Sequence, residues 1–260
     1  MLRIGTAGWT IPTQHAAFAA GPGTDLERYA RTLNCVEINS SFYRSHRIAT
    51  WQRWADSTPE DFRFSVKFPK AITHEAKLIV APGTLDAFFE ETAALGDKLG
   101  PILVQLAPSL RFDDCPAAEF FEVIRDHFRG PIVLEPRHAT WFTPVANDLL
   151  EHHRIARVAA DPSRQPNAQP GHVPKPGGWP GLTYFRLHGY PRTYYSTYGP
   201  AYLAALAKII ADLPASAEAW IVFDNTALGH AFANALDLQI LLNTQTSPAK
   251  NKRAKPKPRL

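Results

Sequence analysis

Apolar and polar positions along this chain follow two rhythms that take turns. Eight runs of four to eight residues read as strands: LRIGTAG (2–8), CVEINS (35–40), FRFSVK (62–67), ILVQL (102–106), IVLE (132–135), RIARVAA (154–160), LTYFRLHG (182–189) and WIVFDN (220–225). Several are rich in β-branched and aromatic side chains, as a buried pleated surface requires. Between them, apolar residues recur at helical spacing over 24–33, 83–100, 116–128, 143–153, 199–213 and 229–242. Thr24 or Asp25 caps the first of these helices, which sets Leu26, Tyr29, Ala30 and Leu33 on one face. Thr143 caps another, with Pro144 at its first position. The pairs Phe88–Phe89 and Phe120–Phe121 fall on helices as core residues.

Strand and helix in alternation predict a parallel sheet, because parallel neighbours need a crossover between them. Eight such units in 260 residues predict an α/β protein of (β/α)8, TIM-barrel-like form, with an open doubly wound sheet as the alternative. The barrel is assigned to a single domain, residues 1–242. The proline- and glycine-rich stretch 162–181 reads as a loop over one end. Residues 243–260 are expected to be a disordered, basic tail.

Charge changes this picture in one respect. The net charge is +4, yet six of the 28 Lys and Arg lie in the last eleven residues, KNKRAKPKPRL, which hold no acid. The remainder carries 22 basic against 24 acidic residues, a formal −2, so a basic face for nucleic acid belongs to the tail rather than the barrel. No run approaches 18 apolar residues, which excludes a membrane-spanning helix. MLRIGTAGWT lacks the parts of a signal peptide, so a cytoplasmic setting is expected. Cys35 and Cys115, without C-x-x-C spacing, read as two buried thiols in a reducing compartment. The sequence sets no oligomeric state.

Candidate chemistry gathers at the strand ends. Five runs close on a polar residue followed by proline: Lys67 with Pro69, Gln105 with Pro108, Glu135 with Pro136, Asp161 with Pro162, and His188 with Pro191. Proline cannot donate to a ladder, so these polar residues mark the carboxyl ends of strands. In a (β/α)8 barrel those ends form the face where active sites are built. Residues two apart share a side of a strand, which joins Glu37 to Asn39, Glu135 to Arg137 and Arg186 to His188. Pointing inward, they would meet Lys67, Gln105, Asp161 and Asp224 at one mouth. His138 would lie on the other side or at the rim. So many charges cannot be buried without partners.

Seven motifs carry a resemblance: IGTAGWT, VEINSSFYR, FSVKFPKAITH, QLAPS, EPRHATWF, RLHG and FDNTALGHAFANA, in this order over residues 4–235. The chain closely resembles the YecE-like family, domain of unknown function 72. The resemblance implies a TIM barrel and brings no settled activity with it. Any kinship to TIM-barrel DNA-repair endonucleases is analogy of fold alone.

Three uses of the mouth follow. The first is hydrolysis of a phosphoester or other anionic substrate, with Lys67, Arg137 and Arg186 holding the anion. Glu37, Glu135, Asp224 and His188 are then the catalytic candidates. Asn39, Tyr43, Gln105, His138, Asp161 and Asn225 complete the ligand-binding set. The second is non-enzymatic binding of a small anion or of single-stranded nucleic acid, with PRTYYSTY (191–198) supplying stacking tyrosines. The third is glycoside hydrolysis by Glu37 and Glu135, with Trp9, Tyr43 and Trp141 as stacking faces. No H-x-H or H-E-x-x-H spacing is present, so no metal ligand is assigned. IGTAG is not a dinucleotide fingerprint, and no cofactor is assigned either.

Overall fold

All eight apolar runs lie side by side as the strands of one ring. The computed structural model describes residues 1–214 and 217–246. The strands are β1 (Leu2–Ala7), β2 (Cys35–Ile38), β3 (Arg63–Lys67), β4 (Leu99–Gln105) and β5 (Ile132–Glu135). They continue as β6 (Ile155–Arg157), β7 (Ala159–Asp161), β8 (Gly177–Gly178), β9 (Leu182–Leu187) and β10 (Glu218–Phe223). The order across the sheet is β7-β9-β10-β1-β2-β3-β4-β5-β6-β8. β6 and β7 are the two halves of one strand, broken at Val158. The first half pairs with β5 and the second with β9. Val158 N–H donates to Leu134 O (2.8 Å), so this one strand closes the barrel. Every pairing among these strands is parallel except that of the short β8, which adds to β6 antiparallel from the 162–181 loop.

Among the described residues, seven α-helices cover the outside: α1 (Asp25–Ala30), α2 (Ile48–Asp56), α3 (Asp86–Ala93), α4 (Asp114–His127), α5 (Pro144–His152), α6 (Pro200–Ala211) and α7 (His230–Thr246). Thr24 closes a full capping box with Glu27 on α1, and Thr143 accepts from Ala146 N–H on α5, as their sequences require. The two phenylalanine pairs are buried on α3 and α4. α2 has no capping side chain at Arg47, which is why IATWQRWAD gave no start signal. The helix expected over 83–100 ends at Ala93, and Leu99 and Gly100 open β4 instead. Gly100 lies in the barrel wall rather than in a helix. Its place is set by the barrel interior, where an added Cβ would fall 2.7 Å from the Trp220 ring.

Cys35 is buried, but Cys115 is exposed in the first turn of α4, contrary to the expectation of two buried thiols. α7 runs to Thr246, past the expected boundary at 242, and residues 247–260 of the basic segment lie outside the described residues. No helix among the described residues is long and apolar enough to cross a membrane.

The core has two layers. Between sheet and helices lies the larger one, with Tyr29, Trp51, Phe64, Phe120 and Trp141 fully buried. Inside the barrel lies a smaller floor of Cys35, Leu103, Val133, Ala156, Val158, Leu182, Tyr184, Trp220 and Val222. Tyr184 and Trp220 stack there with ring centres 6.1 Å apart. Alternation carries the same inner face upward, from Cys35 to Glu37, Leu103 to Gln105, Val133 to Glu135, Tyr184 to Arg186, and Val222 to Asp224. One step along each strand turns an apolar floor into a charged mouth.

Candidate functional site

Arg186, on β9, stands at the centre of the mouth. It is 1% exposed, and three carboxylates, on β2, on β5 and just beyond β10, surround its guanidinium. Its Nε donates to both oxygens of Glu37 (3.0 Å each) and its Nη2 donates to Glu37 Oε1 (2.7 Å). Nη1 donates to Glu135 Oε2 (3.1 Å), and Nη2 lies 2.9 Å from Asp224 Oδ2 and 3.4 Å from Asn39 Oδ1. Two further donors complete the carboxylate shells. The Tyr184 hydroxyl donates to Glu37 Oε2 (2.9 Å), and Gln105 Nε2 donates to Glu135 Oε2 (3.1 Å). Burying a guanidinium and three carboxylates is tolerable because each has hydrogen-bonded partners of the opposite sign.

His188 bridges the same carboxylates from above. Its Nδ1 lies 3.0 Å from Asp224 Oδ2 and its Nε2 lies 3.2 Å from Glu135 Oε1. Burial works against protonation of this ring, but the Glu135 charge and the Asp224 hydrogen bond overcome it and raise the pKa. Burial likewise works to raise the pKa of Glu135 and of Asp224. The Arg186 and His188 charges outweigh it, holding Glu135 well below the ordinary carboxylate range and Asp224 below it too. Burial is overcome in Arg186 as well, where Asp224, Glu37 and Glu135 keep the proton on. The resting mouth is therefore an ionic lattice centred on Arg186, in which proton binding to His188 is favoured.

Lys67, at the end of β3, is the exception. It is 7% exposed, yet its ammonium makes no hydrogen bond or ion pair among the described residues. Its Nζ lies 4.1 Å from the centre of the Phe42 ring. Burial, and then the Arg186 charge, pull its pKa down to about 8, while Glu37, Glu135 and Asp224 only partly restore it.

At the rim, Arg137 reaches Glu135 Oε1 at a longer 3.6 Å and keeps some exposure. His74 stands beside it; burial, followed by the Lys67 and Arg137 charges, lowers its pKa. Tyr194 packs edge-on to His188 with ring centres 5.7 Å apart. Its amide donates to His188 O (2.5 Å). Gly189 makes that return possible, with φ +94° and Ser196 O standing 2.7 Å from where a Cβ would be.

The structure thus gathers Glu37, Asn39, Lys67, Gln105, Glu135, Arg137, Arg186, His188 and Asp224, all expected from the sequence. It does not gather the other four. Asp161 faces the helical layer, where its Oδ2 accepts from the Tyr198 hydroxyl (2.6 Å). Asn225 donates to Ser196 O and Asn234 Oδ1 (2.9 Å each), so these two residues brace the loop after β9. His138 caps the turn at Ala139–Phe142 by accepting from Thr140 N–H (3.2 Å), at the rim as expected. Tyr43 is 74% exposed and packs edge-on to Phe42. Trp141 is a core residue whose Nε1 donates to Leu110 O, so it offers no stacking face for a sugar, and the half-buried Trp9 meets Trp54 edge to face.

Two contributors were missed. Tyr184 lies two residues before Arg186 and was legible from strand period alone, whereas His74, on the turn Ala71–Glu75, left no local signal. Tyr194 was expected only as one of the stacking tyrosines of 191–198. At the opposite end of the barrel, a cavity of about 500 Å3 is lined by Arg125, His153, Arg154 and Trp179. Arg125 there donates to the carbonyls of Phe128, Gly130, His153 and Arg154, which explains it as a cap on the chain ends of α4 and α5. Among the described residues, no group of three or more His, Cys, Asp and Glu is placed to hold a metal ion.

The whole chain is similar to known proteins. It is 29% identical over 182 residues to YecE of Escherichia coli K12, covering 68% of this chain and 62% of that protein. It is 28% identical over 154 residues to YunF of Bacillus subtilis 168, covering 55% of this chain and 53% of that one. The chain therefore spans about half to three fifths of the length of these relatives. Its fold is similar to that of the DUF72 family protein EF0366 of Enterococcus faecalis V583, with a TM-score of 0.76, 23% identity, and 98% and 100% of the two chains covered. It is likewise similar to TM1631 of Thermotoga maritima MSB8, with a TM-score of 0.74, 21% identity, and 94% and 99% covered. The model of the family described as "Protein of unknown function DUF72" matches residues 3–260, and the chain belongs to that family.

Proposed function

We propose that the barrel mouth is the active site of an enzyme that takes a small anionic substrate and moves protons on it. The observation that carries this reading is Lys67, a largely buried side chain whose amine has no ionic partner, beside a lattice in which every other buried charge is paired. Burying such a group costs stability unless something arrives to meet it. Arg137, held by a single 3.6 Å ion pair, is the second cation free to turn toward an anion. Charged hydrogen bonds from Lys67 and Arg137 would each contribute about 1.5–3 kcal/mol. An amine with a pKa near 8 also suits proton transfer close to neutrality.

The geometry favours the other chemistries less. Hydrolysis of a phosphoester needs a base to activate water, and Glu37 and Glu135 already spend both oxygens on Arg186, His188, Tyr184 and Gln105, while Asp224 spends Oδ2 on Arg186 and His188. Lys67 is the better-placed base. Glycoside hydrolysis by Glu37 and Glu135 would need one protonated carboxyl, whereas Glu135 is held ionised well below the usual range. Single-stranded nucleic acid is supported by Tyr190, Tyr194 and Tyr195, partly exposed on one loop, with Arg192 lying 3.9 Å over the Tyr195 ring. Two free thiols, one of them exposed, fit the reducing cytoplasm that this reading assumes.

Calorimetric titration with inorganic phosphate and with glycerol phosphate tests the proposal. Lys67→Gln and Arg137→Ala should each weaken binding tenfold or more, with Arg137→Ala leaving thermal stability within about 0.5 kcal/mol. Affinity unchanged in both variants would remove the mouth as the anion site. Binding of single-stranded DNA that is lost in Tyr195→Ala, with phosphate binding absent, would put the tyrosine loop in its place.

A further inference from the structure

Lys67 has features that a plain anion cradle does not need. A residue whose whole task is to hold an anion is better as a permanent cation, as arginine is. Here the chain places a primary amine, at the inner end of β3, over the face of the Phe42 ring. The charges that act on it come from across the mouth: Glu37 on β2, Glu135 on β5, Arg186 on β9 and Asp224 just beyond β10, with His74 on the segment after β3. None of them forms an ion pair with its nitrogen. The acids are turned instead toward Arg186, whose charge in turn disfavours a second cation nearby. A desolvated lysine next to a cationic group is the arrangement that leaves an amine nucleophilic near neutral pH.

We infer that Lys67 forms an imine with an aldehyde or ketone that also carries the anionic group, which Arg137 holds. This rests on the reading of the mouth as an anion site and names the substrate class: small phosphorylated or carboxylated carbonyl compounds. The neutral amine adds its lone pair to the carbonyl carbon, and the π pair moves to oxygen, which takes up a proton. The nitrogen loses one proton, giving a neutral carbinolamine. The hydroxyl then takes a proton and leaves as water while the nitrogen lone pair closes the C=N bond. Loss of the remaining N–H proton is optional, so the iminium can persist. The balance is amine plus carbonyl to imine plus water, with no oxidant or reductant. The iminium withdraws electrons from the adjacent carbon, which is the purpose of such an intermediate in proton abstraction or carbon–carbon bond chemistry.

Borohydride trapping with glycolaldehyde phosphate, read by intact mass and peptide mapping, decides the matter. Glycolaldehyde itself serves as the uncharged probe, and inorganic phosphate binding is measured alongside on the same full-length protein. The expected result is one reduced adduct on Lys67, formed on the order of 100-fold faster at pH 7 than adducts on the exposed Lys70, Lys175 or Lys208. Its rate should rise with pH about a midpoint near 8, and it should be suppressed by phosphate and lost in Lys67→Arg. Arg137→Ala should slow trapping of the phosphorylated probe and leave that of glycolaldehyde alone. Adducts spread over the exposed lysines, with Lys67 untouched and phosphate still bound, would overturn the imine while sparing the anion site. Equal trapping of both probes at Lys67, with no phosphate binding, would keep the imine and overturn the anion site.

Discussion

The floor and the mouth of this barrel are built from the same strands, on the same inner face, one alternate residue apart. On the floor, Leu103, Val133, Trp220 and Val222 fill space, and a residue there acts by its volume. In the mouth, Gln105, Glu135, Arg186 and Asp224 act by charge and hydrogen bonding. The floor could be repacked with other apolar residues at modest cost, because density is all that it needs. The mouth cannot, since each of its groups is tolerable only while its partners remain. Within the mouth the contrast repeats: Arg186 has three carboxylates, and Lys67 has none.

The largest effect should come from breaking the lattice at its centre. Arg186→Met leaves Glu37, Glu135 and Asp224 buried together, which should cost about 5 kcal/mol or prevent folding at neutral pH. Urea denaturation at pH 7 and again near pH 4 measures it. Protonation of the orphaned acids should restore part of the lost stability at the lower pH. In the wild type the sign is opposite, because Glu135 and Asp224 have depressed pKa values. Their contribution is full above the ordinary carboxylate range and fades as the pH falls through the folded values. His188 is shifted upward, so its contribution is full below about pH 6.5 and fades as the pH rises through its folded value.

Next in size is the floor. Trp220→Ala should cost about 3–5 kcal/mol by the same denaturation measurement, and phosphate affinity should stay unchanged in calorimetry wherever the variant is folded. A loss of affinity there would mean that floor and mouth are not separable. Smallest, and of opposite sign, is Lys67→Met, which should raise stability at pH 7 by about 2–3 kcal/mol as it abolishes binding. Lys67 has a depressed pKa, so the unfolded chain binds more protons between about pH 8 and 10.5. The advantage of the variant should therefore shrink across that interval and vanish above it. A destabilised Lys67→Met would make the lysine a structural residue.

Much of this was legible in the primary structure, for physical reasons. Strand period and the prolines after strand ends located the mouth, because both report backbone geometry that every such barrel shares. The same period, counted from Ala156 through Val158 and Ala160, puts Asp161 on the outer face; its polarity and its proline masked that count. α2 was missed because its helix is held by burial of Trp51 rather than by a cap. His74 and Tyr194 arrive at the mouth through loops whose paths are fixed by contacts far away in sequence, such as the Tyr198 hydroxyl between Asp161 and Gly189. The absence of a partner for Lys67 was beyond reach altogether, since it depends on where three acids turn.

Arg186 has one more consequence. As the counter-ion to Glu37, Glu135 and Asp224 it is bound covalently to the fold. It does not exchange with the medium, and its supply does not fluctuate. The charge balance of the lattice is thus inherited with the gene and assembled at the same moment as the barrel. A protein built this way has its electrostatic field in place before any substrate arrives, and a single codon change at position 186 is enough to take that field away.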